Sequence, residues 1–263
     1  MYLEEFEKLI NEGEKEFNKT DFMNAFRSFG KALKLAQENE DQYGIADAYM
    51  HLGNVYLFKK QYKFSLESYE KAYEISIAIE NYDLLAPCIN NLINVYIETQ
   101  DYERANHLIK KGLDLFNKEN DMKRYGILLS NYSSLLFNQK KFEEAELILK
   151  SSEESLKDVD LQQVHGNIQY GLGQVYQQMN DIEMSVFHYM RALKIGEQLG
   201  FPELAGDSAL NLGYNYGKLK NPQKGKEFYI KSLKLYSLCE NPKNKWMVER
   251  NLRAMGINPH EII

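Results

Sequence analysis

The chain has 263 residues, 32 Lys and Arg against 38 Asp and Glu, 44% hydrophobic residues and 27% charged ones. That is the composition of a water-soluble globular protein. The net charge of -6 argues against a nucleic-acid surface, which needs a basic stripe. No apolar run approaches the roughly 18 residues of a membrane span, and the N-terminus, MYLEEFEKLINEGEKEF, lacks the basic and then apolar layout of a signal peptide. A cytosolic (cytoplasmic) location follows, with neither nucleic acid nor membrane as partner. Cys88 and Cys239 are too few for a disulfide framework and show no metal-ligand spacing.

The elements repeat every 40 residues, and the alignment of the chain with itself holds from end to end without a gap. The first unit, about residues 3–40, joins the register weakly through EGEKEFNKTDF from Glu12. The second, 41–80, is the clearest. Ile45, Ala48, Tyr49, Leu52 and Tyr56 fall at i, i+3, i+4, i+7 and i+11, which is helical spacing. A short turn at 59–62 follows, then a second amphipathic stretch over about 62–79, so each unit is a predicted helical hairpin. The third unit, 81–120, carries LINVYIETQDY from Leu92 and has Pro87 about one turn into its first helix. The fourth, 121–160, carries YSSLLFNQKKF from Tyr132; the fifth, 161–200, carries LGQVYQQMNDI from Leu172; the sixth, 201–243, carries LGYNYGKLKNP from Leu212. Leu252 opens a truncated copy, a capping helix over 245–255 with a tail at 257–263. Pro202, Pro222, Pro242 and Pro259 fall at predicted helix starts or beyond the last helix, where Pro is tolerated. Units of this period cannot bury their apolar faces alone and must stack, which predicts one domain over residues 1–256.

Close helix crossings need small side chains, and two columns supply them. One reads Gly13, Gly53, Ser133, Gly173 and Gly213, with Ile93 as the exception. The other, on the second helices, reads Ala25, Ser65, Ala105, Ala145, Ser185 and Gly225, and seven residues on Ala32, Ala72, Gly112, Ser152, Ala192 and Ser232. A helical Gly costs about 1 kcal/mol relative to Ala, so its recurrence reports packing.

These residues resemble the tetratricopeptide repeat, whose first helix carries Leu-Gly followed by Tyr and whose second carries Ala, an aromatic residue and another Ala. Leu52, Gly53, Tyr56, Ser65, Tyr69 and Ala72 match, as do Leu172, Gly173, Tyr176, Ser185, Tyr189 and Ala192. The usual repeat has about 34 residues and a closing Pro. Here six residues are added and the Pro is lacking. The added residues are expected to lengthen the helix ends and the loop between units. Such long units are similar to those of kinesin light chains, of the polarity adaptors with Leu-Gly-Asn repeats, and of the peptide-pheromone receptors of Gram-positive bacteria. The resemblance implies an all-α, right-handed superhelical solenoid of six hairpins plus a capping helix, with the first helices lining a concave groove.

On the first helix, Asp47, Met50, His51, Asn54 and Phe58 lie opposite Tyr49, Leu52 and Tyr56. The column containing His51 reads Asn11, His51, Asn91, Asn131, Gly171, Asn211 and Asn251. Five of seven are Asn, whereas 23 Asn in 263 residues would place fewer than one there by chance. An Asn amide can pair with both the N–H and the C=O of one residue in an extended peptide. First helices about 10 Å apart would meet roughly every third residue of a strand rising about 3.3 Å per residue. Two roles stay open for this column, holding a ligand backbone or fixing repeat geometry through bonds to neighbouring helices and water.

Asn54, Asn94, Ser134 and Gln174 form a second polar column. Met50, Phe58, Phe137, Tyr170, Leu210 and Tyr214 are expected to be half exposed beside it, as side-chain pockets or as inter-repeat packing. Charges on this face are Glu7, Glu14, Asp47, Glu98 and Asp207 against Lys218 and Arg250, which argues against a strongly acidic ligand and shows no lysine clamp. Lys31, Lys71, Lys111, Arg191 and Lys231 on the second helices read as a solvated face with i, i+4 pairing.

No His stands in a metal-binding pattern, GlyLeuGly at 171–173 lies within a predicted helix, and no phosphate loop or nucleophile elbow is present. The expectation is a non-catalytic, cofactor-free and monomeric module for a protein or extended peptide. One alternative is a peptide-responsive regulator that changes superhelical pitch. Another is an assembly scaffold using Trp246, Met247, Ile257, Ile262 and Ile263 at its C-terminal end.

Overall fold

A computed structural model describes residues 2–239 and 244–262. Pro242, Ile263 and the last residues of the sixth expected unit lie outside the described residues. Thirteen α-helices account for nearly all of the described chain. They are α1 (Tyr2–Asn18), α2 (Phe22–Glu38), α3 (Gln42–Phe58), α4 (Tyr62–Ala78), α5 (Tyr82–Glu98), α6 (Tyr102–Lys118), α7 (Met122–Asn138), α8 (Phe142–Ser155), α9 (Gln162–Gln178), α10 (Ile182–Leu199), α11 (Pro202–Lys218), α12 (Pro222–Tyr236) and α13 (Lys245–Ala254), followed by a short 3-10 turn, Pro259–Glu261. Pro202 and Pro222 are the first residues of their helices, and Pro87 lies inside α5.

From α1 to α12, every helix starts 20 residues after the one before. A typical helix has 17 residues and the links have three. The six residues beyond the usual repeat therefore lie in the helices. The loop between hairpins, expected to be longer, is as short as the turn within one, as residues 39–41 and 59–61 show. Each regular link closes in the same way. The N–H of Asp21 reaches back to Glu16 O at 2.9 Å and that of Thr20 to Phe17 O at 2.8 Å, which is the Schellman closure. The closure places one residue in the left-handed region: Thr20, Glu40, Lys60, Glu80, Gln100, Asn120, Lys140, Asn180, Gly200 and Lys220. The next residue often caps the following helix, as Asp21, Asn81, Asp121, Asp181 and Asn221 do by accepting the N–H three residues on.

Contacts divide the chain into two units, residues 1–115 and 116–263. In the first, α1 to α5 pack in chain order, and the first helices of adjacent hairpins, α1 with α3 and α3 with α5, also touch. In the second, α7 to α13 pack in chain order, with α7 against α9 and α9 against α11.

The small-residue columns are where the helices of a hairpin cross. A Cβ on Gly53 would lie 2.5 Å from the Tyr69 ring, one on Gly173 2.7 Å from Tyr189, and one on Gly213 2.6 Å from Tyr229. Ser65 Oγ donates to Gly53 O at 3.0 Å, and Ser185 Oγ to Gly173 O at 2.7 Å. The exception is matched in size, since Ile93 belongs to the hairpin whose corresponding position holds Ile109 in place of an aromatic ring, and both are fully buried. The C-terminal end is a cap. Met247, Ile257 and Ile262 pack onto a cluster of Leu210, Tyr229, Leu233, Tyr236, Val248 and Leu252, while Trp246 stays exposed.

Candidate binding face

In the first unit His51 and Asn91 of the column engage neighbouring side chains. His51, on α3, stacks on Phe29 of α2 with ring centroids 4.7 Å apart and 17° between planes. Its Nε2 lies 3.7 Å from Asp47 Oδ1 and 3.9 Å from Glu14 Oε1. Burial pushes the Asp47 carboxyl above its ordinary range against the pull of His51, and Glu14 and Asp41 push the same way as burial. Glu14, Phe17, Asn18, Phe29, His51 and Asn54 enclose a pocket of about 240 Å³. Asn54 Oδ1 accepts the Tyr69 hydroxyl at 2.6 Å and Asn91 Nδ2 at 3.4 Å. The bond from Asn91 thus runs between neighbouring first helices. Asn11 and Asn94 are exposed. Phe58 is 57% exposed, yet it shares an aromatic cluster with Phe17 and Phe22, at 5.6 and 4.8 Å.

In the second unit three pockets lie along the first helices. Phe137, Ser134, Gln174 and Gly171 help line one of about 240 Å³, and Phe137 meets Phe142 edge-on at 5.4 Å. Asn131 is half-buried on α7. The second pocket, about 690 Å³, brings together Tyr170, Asn211, Tyr214, Lys218, Arg250 and Asn251. Asn211 Nδ2 donates to Asp207 O at 2.9 Å and to the Tyr170 hydroxyl at 3.4 Å. Burial, with the Asp207 charge behind it, pushes the Tyr170 hydroxyl up, so it is a neutral hydrogen-bonding group. Tyr214 is 47% exposed. The third pocket, about 480 Å³, lies on the other side of Tyr170 against Asn167, Phe201, Glu203 and Asp207.

Three expectations change here. Leu210 is only 6% exposed and belongs to the C-terminal core cluster. Lys218 and Arg250 do come together, because residue 218 ends α11 and residue 250 lies on the capping helix that follows. Among the described residues the second-helix cations show no i, i+4 ion pair: Arg191 reaches Glu153 at 3.6 Å and Lys231 reaches Glu197 at 2.7 Å, each on the preceding hairpin, and Lys71 lies 5.0 Å from the Tyr49 ring centroid.

One polar element escaped the sequence reading. Asn215 is fully buried in a column that holds buried Val55, Val95, Leu135 and Val175 in the four preceding repeats. It accepts from Gln177 Nε2 and donates to Ser185 Oγ, both at 2.8 Å. A lone amide in an apolar column, with Gln177 and Ser185 at neighbouring polar positions, was the available clue. Nearby, His188 Nδ1 and Gln169 Oε1 are 2.8 Å apart, and Gln169 Nε2 donates to Glu153 at 2.8 Å. Burial, reinforced by the charges of Arg191 and Lys150, holds the His188 pKa down at about 4.

Among the described residues no group of three or more His, Cys, Asp or Glu side chains is placed to hold a metal ion. None of the described helices is long and apolar enough to cross a membrane.

No curated protein sequence matches the chain significantly. Among solved structures it is similar to BtubC (BKLC) from P. vanneervenii, at 18% identity and a TM-score of 0.68 over 84% of this chain and 91% of that one. It is also similar to a Rap protein complexed with competence and sporulation factor, at 16% identity and a TM-score of 0.69 over 100% and 77%. A third is the apo form of the quorum sensor NprR from B. thuringiensis, at 12% identity and a TM-score of 0.69 over 97% and 72%. The tetratricopeptide-repeat family model matches residues 46–76, 166–198 and 206–237. Each match spans one hairpin's worth of paired helices, so these three segments are similar to tetratricopeptide repeats, and the 40-residue register carries the same pattern along the chain.

Proposed function

We propose that this chain is a non-catalytic scaffold that holds an extended peptide or partner segment against the first helices of its repeats. The observation that carries the reading is the 690 Å³ pocket of the second unit, where amide, aromatic and charged side chains converge on one open face. Extended segments are recognised by groups that bond their backbone and by pockets for alternate side chains. Asn211 spends its Nδ2 hydrogens on Asp207 and Tyr170, which fixes the amide and leaves Oδ1 for a ligand N–H. Asn91 spends one Nδ2 hydrogen on Asn54, so the column serves repeat geometry and ligand at once. The fold likeness to a Rap protein complexed with competence and sporulation factor and to a quorum sensor supports this class of ligand.

The test is capture from native lysate by the full chain, compared with an Asn91→Ala, Asn131→Ala, Asn211→Ala variant and read by mass spectrometry. The expected result is a partner retained by the wild type and weakened in the variant, each lost bond being worth about 0.5–1.5 kcal/mol, with helicity unchanged and melting lowered by no more than the loss of the internal bonds of Asn91 and Asn211 accounts for. Equal capture by both would move the site to the second helices or the termini.

A further inference from the structure

The first two hairpins have ends of opposite charge. Helices α1 to α4 pack in chain order through short links, so the turns at 19–21 and 59–61 lie at one end, and the start of α1, the link at 39–41 and the end of α4 lie at the other. Helices of 17 residues hold these ends about 25 Å apart. Side-chain contacts follow the same grouping. Phe58 meets Phe17 and Phe22 at the turn end, and the Tyr2 hydroxyl donates to Asp41 Oδ2 at 2.6 Å at the link end.

The turn end carries Lys19, Lys59, Lys60 and Lys63, all exposed. Of the carboxylates near it, Asp21 caps α2 and Glu16 accepts the Ser28 hydroxyl at 2.8 Å. The link end carries Glu5, Glu38, Glu40 and Glu80, also exposed, and Lys34 lies 3.6 Å from Glu38. Even the left-handed residues alternate in this way, Glu40 and Glu80 at one end and Lys60 at the other. Clustering like charges costs free energy in an isolated chain, and a surface of opposite sign offsets that cost. Both ends also leave apolar side chains in water. At the turn end Met23, Phe58 and Phe64 are exposed, and their surroundings continue through Phe22, Phe26 and Tyr56. At the link end Leu3, Tyr43 and Ile77 are exposed. Apolar surface rimmed by charge marks a site of association.

We propose that the turn end of these hairpins docks on the link end of the same hairpins in a second copy of this chain. Lys59, Lys60 and Lys63 face Glu38, Glu40 and Glu80 across the contact, and the apolar side chains of both ends close its centre. The contact is heterologous, because each copy uses one end to give and the other to receive, so it repeats into an open row of chains. It differs from assembly through the C-terminal end in lying wholly within residues 2–80. It also leaves the first-helix face of these hairpins free for a ligand.

The test is sedimentation velocity of the full chain from about 1 µM to about 0.5 mM, at about 0.05 M and about 0.5 M salt. The average mass of the wild type is expected to rise with concentration at low salt, and high salt to weaken the association about tenfold. Two charge-reversed chains follow, Lys59→Glu, Lys60→Glu, Lys63→Glu for the turn end and Glu38→Lys, Glu40→Lys, Glu80→Lys for the link end. Left-handed positions hold Glu at 40 and 80 and Lys at 60 and 140, so both chains should fold, with thermal melting as the control. Each alone should associate at least about tenfold more weakly than the wild type. Their equimolar mixture should associate again, since the reversed turn end of one matches the reversed link end of the other. A wild type that stays a single chain throughout, or an association indifferent to salt, would overturn the proposal without any substitution. A reversed chain that associates as well as the wild type, or a mixture no better than its parts, would overturn it too.

Discussion

The two contact units share a repeat and differ in what they attach to it. On the first-helix face, residues 1–115 place Glu14 and Asp47 around His51, whereas residues 116–263 place Lys218 and Arg250 around Asn211 and Asn251. The interiors differ as well. Where the first unit buries Val55, the second buries Asn215 with two partners; where the first has Ser68, whose Oγ donates to Phe64 O at 2.8 Å, the second has His188 bonded to Gln169. The backbone repeat fixes where a side chain stands, and single positions within it set charge and polarity.

Moving those positions from one unit to the other should break the difference in measurable steps. The largest effect belongs to Val55→Asn. It buries an amide without the partners that Asn215 has, and should cost about 3–4 kcal/mol in urea unfolding. A cost below 1 kcal/mol would mean that the first unit can supply partners or water.

Next comes pH. His188 has a folded pKa of about 4 against an ordinary value near 6.5. The unfolded chain therefore takes up a proton that the folded chain refuses. The stability held by the neutral His188 is complete above about pH 6.5 and is lost as pH falls toward 4, up to about 3 kcal/mol. The stability difference between wild type and His188→Gln should shrink over that window and then level off. A difference independent of pH would show that the imidazole is not buried neutral. Hydrogen exchange should place the acid-induced loosening in residues 116–263.

A smaller effect is expected for Asn215→Val, which makes the second unit resemble the first and strands Gln177. Its cost should be about 1–2 kcal/mol, and a gain in stability would show that the buried network is dispensable. Smallest is the change common to both units. Lys60→Gly and Lys140→Gly relieve a left-handed residue and should each stabilise by about 0.5–1 kcal/mol, read as a rise of a few degrees in melting temperature. Unequal effects at the two sites would show that the links are not equivalent.

The 40-residue period, the hairpins and the small-residue columns were legible because each depends on spacing and side-chain size alone. The finer 20-residue spacing of helix starts was hidden, since all but one of its left-handed residues are ordinary Thr, Glu, Gln, Asn or Lys and only Gly200 carries the usual mark. The pairing of Arg191 with Glu153 and of Lys231 with Glu197 was out of reach of a rule that looks along one helix. Leu210 looked half exposed because its own helix gives no hint that α13 and the tail fold back near it. The convergence of Lys218 with Arg250 was missed for the same reason. The Asn column itself was visible, but its division between internal bonds and free acceptors emerged only with Tyr170 and Asn54 in place.

The regular helix starts act as a reading frame. Where α8 stops after 14 residues, its link lengthens to six, residues 156–161; where α10 runs to 18, its link shrinks to two, residues 200–201; α9 and α11 still begin on schedule. One residue more or fewer inside a helix turns the rest of that helix by about 100° and swings its apolar side into water. Single-residue insertions and deletions inside the helices between residues 2 and 236 are therefore expected to act as frameshifts of structure, whereas links such as 156–161 can absorb them. Removal or duplication of a whole 40-residue hairpin leaves every later residue in phase, so apart from its links the chain can change its length only in whole words.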